Sequence, residues 1–132
     1  MKKTAIHSPK LHERVENGRI IYSQGMVVEG QRLLFIAGQI ARDASGQIVG
    51  KGDMRAQMRQ VYSNIAAVLE AAGGTFDNVV RTTTYVTSLD EYFRNPDLRW
   101  EFMKGDPPTS TTVQVARLAQ DAMVEIEAFA IL

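Results

Sequence analysis

No cysteine occurs among the 132 residues. Disulfides, thiolate nucleophiles, cysteine-ligated zinc and iron–sulfur clusters are therefore excluded. Neither sign of charge is in excess, with 15 Lys and Arg against 15 Asp and Glu, so no long-range field favours polyanions over neutral partners. Histidine is scarce: only His7 and His12 occur, beside Glu13 near the N-terminus. Their five-residue spacing lacks ligand geometry, so no metal site is read there and a solvated terminal segment is expected. No apolar run approaches the length of a membrane span, and no apolar stretch follows the basic start Met1-Lys2-Lys3. These absences lead to the expectation of a soluble, cytoplasmic protein whose site works with oxygen and nitrogen groups.

The length suits one domain over residues 1–132, with residues 1–15 expected as a partly ordered N-terminal segment. Arg19 to Val28 is β-branched and apolar, Glu29-Gly30-Gln31 turns, and Arg32 to Ala37 resumes, a pattern that predicts a hairpin. The clearest helix starts after Asp53 as N-cap, with Met58, Val61, Tyr62, Ile65, Val68, Leu69 and Ala72 at helical spacing, and Gly73-Gly74 ends it. Val79 to Thr87 reads as a strand. Ser88 followed by Glu91 has the form of a capping box, and Pro96 ends or restarts that second helix, with Asn95 as cap. Two last strands are expected at about 111–118 and 123–131.

The order ββαβαββ predicts an α+β fold, a single mixed sheet carrying two helices on one face. The strand at 79–87 is apolar on both sides, as is the last strand from Ala128 onward. A sheet with helices over one face only should then cover its second face with another copy, which predicts a homo-oligomer. In Val124-Glu125-Ile126-Glu127-Ala128 two carboxylates point to the same side of a strand of a kind that is normally buried. Buried carboxylates need partners or a chemical task.

Five segments resemble, in order, those of the YjgF/RidA (Rid) family: Tyr22-Ser23-Gln24-Gly25, Phe35 to Ile40, Leu69-Glu70-Ala71-Ala72-Gly73 with Thr83-Thr84-Tyr85-Val86, Val115-Ala116-Arg117-Leu118, and Val124 to Ala128. The resemblance implies a chorismate-mutase-like fold, a homotrimer closing a central barrel, and a cleft at each subunit boundary. It further implies hydrolysis of a reactive enamine or imine, without a cofactor. Carried over position by position, it points to Glu125 as the group that holds the attacking water, and to Tyr22, Ala37, Gly38, Ser110 and Thr112 as substrate contacts.

The family's carboxylate-gripping arginine falls at Ser110 here, so the chain resembles a divergent member lacking that anchor. A neutral hydroxyl in place of a cation weakens carboxylate binding by ~1–3 kcal/mol. The expected substrate is then a neutral carbonyl, amide or imine compound, or a carboxylate held by another arginine such as Arg42 or Arg99. The alternative is a non-catalytic metabolite-binding or regulatory protein using the same cleft. A ribonuclease or translation-inhibitor role, attached to some family members, is disfavoured by the zero net charge and the lack of a basic, aromatic-interleaved strip. Plainer readings stand beside these: Glu125 paired with Arg81 or Arg117, Tyr22 as an interface aromatic, and Ser110 to Thr112 as strand-entry residues.

Overall fold

The computed structural model describes residues 1–13, 15–30 and 32–132. Strands β1 (Lys2–Ile6), β2 (Val15–Glu16), β3 (Arg19–Ile20), β4 (Gly25–Glu29) and β5 (Leu33–Gln39) precede helix α1 (Met54–Ala71). Strand β6 (Val79–Val86), helices α2 (Leu89–Phe93) and α3 (Pro96–Phe102), and strands β7 (Thr109–Gln114) and β8 (Val124–Ile131) follow. The fold is α+β with a mixed central sheet in the order β5-β8-β6-β7, in which only β6 and β7 run parallel.

Helix α1 forms where its spacing predicts. The Asp53 side chain accepts from the Ala56 amide, and Gly73 turns out of the helix at φ 80°. The residues spaced for a helix face, Met58, Val61, Tyr62, Ile65 and Leu69, are all buried against the sheet. From the sheet come Val79, Val86, Val124, Ile126, Ala128 and Ala130. Ser88 caps α2 by accepting from the Glu91 amide. The second helix is two: α2 stops at Arg94, and α3 restarts with Pro96 in its first turn because proline has no N–H to continue the ladder. Three helices therefore stand where the order ββαβαββ has two.

Three expectations for the first half need correction. The turn signal near residue 30 predicts a hairpin between 19–28 and 32–37, yet β4 pairs antiparallel with β1 and β5 with β8. Gln31, part of that expected turn, lies outside the described residues. The sheet is not single, since β1-β4 and β2-β3 form two-stranded sheets of their own. Nor is the terminal segment solvated throughout: Lys2–Ile6 is a strand, and Lys3 Nζ donates to the Val79 carbonyl at 3.4 Å. Two apolar runs about a turn signal suggested the hairpin, whereas pairing follows whichever edge a segment can reach, and β8 occupies the inner edge of β5. Asn17-Gly18, both at positive φ, turns β2 into β3, the strongest short hairpin signal in the chain. The later strands shift less: β7 spans 109–114 rather than 111–118, and His7 Nδ1 pairs with Glu13 at 2.9 Å.

Among the described residues, no helix is long and apolar enough to cross a membrane.

Candidate functional site

A cavity of about 170 Å³ lies between the helices and the edge strand β7. Tyr22, Ser110 and Thr112 line it, as do Met58 of α1, Tyr92 of α2 and Arg99 of α3. Ser110 and Thr112 reach it because they lie beside Thr82 and Thr84, which are buried toward the helices, and neighbours across a ladder share a face. Tyr22 is delivered by its neighbour: Ser23 donates from its hydroxyl to the Pro107 carbonyl and from its amide to the Pro108 carbonyl. Those bonds fasten the chain before β4 to the Pro-Pro entry of β7.

Arg99 occupies its place because α3 is clamped to α1 on the other side. Arg55 holds Asp97 with a bidentate pair at 2.9 and 2.8 Å, and Arg59 holds Glu101 at 2.6 Å. The hydrogen bonds from Arg55, reinforced by its charge, hold the Asp97 carboxyl below the usual carboxylate range. Residues two apart on a helix point to nearly opposite sides, so clamping 97 and 101 outward turns Arg99 inward. Its guanidinium is buried, with 7% of the residue exposed. Nη1 donates to Ser110 Oγ at 3.4 Å, and Ser110 Oγ also accepts from Thr82 at 3.0 Å. Nε and Nη2 of Arg99 are buried without a partner. The position that lacks a guanidinium in sequence therefore has one beside it in space, that of Arg99, one of the two arginines named as a replacement. Arg42, the other candidate, is exposed, bonded to Gln120, and does not line the cavity.

Glu125, Ala37 and Gly38 lie elsewhere. Val124 and Ile126 are buried toward α1, so Glu125 and Glu127 alternate to the far, open face and are half-buried rather than buried. Glu125 does not pair with Arg81 or Arg117, whose guanidinium groups bond Thr111 and Asp121. Its side chain instead covers Gly38, which lies within a register shift in β5 between Ile36 and Gln39. A Cβ at Gly38 would stand 2.2 Å from Glu125 Oε1 and 3.0 Å from Cδ. Only glycine leaves room for that carboxylate. Ala37 is exposed beside it. The neighbouring acid Glu127 accepts from the Tyr85 hydroxyl at 3.1 Å, which raises the phenol above its ordinary value.

The residues implied by the resemblance thus fall into two groups on opposite faces of one sheet, and Arg99 joins the first. Little in the sequence marks Arg99, because a lone arginine in a short helix has the same appearance exposed or buried. The Asn17-Gly18 hairpin, which brings Glu16 to the cavity, was legible as a turn dipeptide. Among the described residues, no three acidic or histidine side chains are grouped to hold a metal.

Residues 17–132 match the family described as endoribonuclease L-PSP. Protein DfrA of Myxococcus xanthus is 35% identical over 131 residues, 99% of this chain and 97% of that protein. The human 2-iminobutanoate/2-iminopropanoate deaminase is 35% identical over 111 residues, 83% of this chain and 79% of that one. The crystal structure of YyfB, a conserved Rid protein of Yersinia pestis, matches with a TM-score of 0.89 at 33% identity, with both chains fully covered. By sequence and by fold, the chain belongs to the endoribonuclease L-PSP family, the YjgF/RidA or Rid group.

Proposed function

We propose that the protein is a homotrimer that hydrolyses an imine, enamine or related carbon–nitrogen bond of a small metabolite in clefts shared between subunits. The observation that carries this reading is the Glu125 carboxylate lying on Gly38. It is an acid held on the open face of the sheet, where neither nearby arginine neutralises it. There it orients a water for attack on the imine carbon. The water oxygen bonds to the imine carbon while one of its protons passes through Glu125 to the nitrogen, giving a carbinolamine; the hydroxyl proton of that intermediate then passes to the nitrogen by the same carboxylate as the C–N bond breaks, leaving a carbonyl compound and ammonia.

Association is supported by the same face. Phe35 is 65% exposed, Leu33 54%, and Phe129 and Val113 39% each, and the Phe35 and Phe129 rings meet edge to face at 5.2 Å. An apolar face of this kind is normally covered by a partner. In one chain the two groups of site residues are divided by the sheet, so a shared cleft needs Glu125 of one copy beside the cavity of another. The deaminase name of the human relative supports the reaction class.

The test is ammonia release from imines generated in situ from amino acids, 2-iminobutanoate and 2-iminopropanoate among them, with Glu125→Gln alongside. Turnover lost in the variant at unchanged mass by light scattering is the expected result. Equal turnover in the variant, or a single-chain mass for the native protein, overturns the proposal. A second reading, metabolite binding without turnover, is favoured by one fact: the cavity lies on the helix side, away from Glu125 of the same chain. It predicts ligand-dependent thermal stabilisation unaltered by Glu125→Gln, with no imine hydrolysed.

A further inference from the structure

We propose that the β2–β3 hairpin, residues 15–20, is a flap over two cavities, hinged at Ser23 and latched by Arg19 on Trp100. The flap does not depend on the hydrolytic reading. Glu16, with Ile21 and Tyr22 behind it, lines the cavity described above. Gly18, Arg19 and Ile20 line a second one of about 270 Å³, whose other wall includes Trp100, Met103 and Pro107. Arg99 borders both, so the two lie side by side beneath the hairpin and one movement opens them together. The hairpin's own bonding is slight. Its ladder pairs Val15 with Ile20 and Glu16 with Arg19, and it joins no other strand. A two-stranded hairpin is marginal in water by itself, so contacts with the body decide whether it stays down. Those contacts are shallow: Val15, Asn17, Gly18 and Arg19 are exposed, and Glu16 and Ile20 only half-buried. Segments that bury little apolar surface open locally while the rest stays folded.

The base of the flap is held more firmly than its tip. Ser23 is 1% exposed and tied to the carbonyls of Pro107 and Pro108, which fixes the chain directly after Tyr22. Gln24 beside it accepts from the Ser8 amide at 2.6 Å and donates to the His12 carbonyl at 3.4 Å. The chain entering the hairpin and the chain leaving it are therefore fastened at one place, which makes that place the hinge. The Asn17-Gly18 turn, with both residues at positive φ, keeps the strands paired as the unit moves. Near the tip, the Arg19 guanidinium stands 5.1 Å from the centroid of the Trp100 ring. A cation over an aromatic ring at a partly exposed site shifts the closed-to-open ratio about two- to fivefold. That is enough to favour closure and little enough to permit release.

Trp100 is the only tryptophan in the chain, so acrylamide quenching of its fluorescence in the full chain reads its cover. Relaxation dispersion of the Met58 methyl, in the first cavity and away from the latch, reads movement of the flap itself. Gly18→Ala meets no neighbouring atom but puts a side chain at φ 73°, which loosens the turn while leaving Arg19 and Trp100 intact. It should raise the quenching constant at least about twofold and strengthen dispersion at Met58. Arg19→Ala should do the same, and Arg19→Lys should restore part of the shielding. In each variant Tm should stay within about 3 °C of the native value, since the hairpin contributes nothing to the buried core. Quenching that rises in Arg19→Ala alone, with Met58 unaffected, would show an arginine that merely shades the ring and would overturn the flap. Unaltered quenching in Gly18→Ala overturns it too, and a larger fall in Tm makes the hairpin part of the cooperative fold, with the same consequence. Glu125→Gln should leave quenching and dispersion as they are, so failure of the hydrolytic reading and failure of the flap are told apart.

Discussion

Replacing Gly38 with alanine separates catalysis from stability more sharply than any other single change. The added Cβ would stand 2.2 Å from Glu125 Oε1, where ordinary contact begins at 3.4 Å, so the carboxylate must retreat by about 1.2 Å. Gly38 is not among the glycines with positive φ, hence its backbone accepts an L side chain without strain. Loss of glycine's freedom in the unfolded chain stabilises by ~0.4–1 kcal/mol, and crowding against the end of a flexible side chain offsets a similar amount. Net stability should change by less than about 1 kcal/mol, a few degrees in Tm at most. Displacement of a water-orienting group by about an ångström, in contrast, costs on the order of a hundredfold in rate. The assay is imine hydrolysis, followed as ammonia release, with thermal unfolding of the same samples. Undiminished kcat in Gly38→Ala would refute the placement of Glu125 as the water-holding group, and a collapse of Tm would show that the glycine serves packing.

Ile65→Ala removes a fully buried α1 side chain and should cost ~2–5 kcal/mol; urea unfolding checks it, and a loss below about 1 kcal/mol would contradict the packing of α1 on the sheet. Phe35→Glu places a charge on the exposed apolar face and should lower the mass seen by light scattering from three chains toward one. An unaltered mass would mean that this face is not the interface. The Tyr85 phenol is raised above its ordinary value near 10, first by its hydrogen bond to Glu127. A raised folded value means that this interaction contributes fully below pH ~10 and is lost as pH climbs through the raised value. Ultraviolet titration should therefore show the Tyr85 phenol ionising later in the native protein than in Glu127→Gln, while Tyr62, raised by its burial, ionises late in both; identical curves would remove the bond.

The sequence by itself determined the elements whose signals are local. Asp53, the apolar spacing of α1 and Gly73 specify a helix with its ends, and the β-branched run at 79–86 specifies a strand, since cap, period and propensity act over a few residues. It also determined the alternation that sends Glu125 and Ile126 to opposite sides. Only the tertiary structure decided which strands pair, because β1 and β4 meet across a long stretch of chain whose turn signal, Asn17-Gly18, serves the β2–β3 hairpin instead. The same holds for the cavity. Tyr22 and Ser110 come together through Ser23 and the Pro107-Pro108 carbonyls, and Arg99 turns inward because Arg55 and Arg59 clamp the other side of α3. A cation missing from one strand position is supplied from a helix, since space, unlike sequence, places residues 99 and 110 side by side.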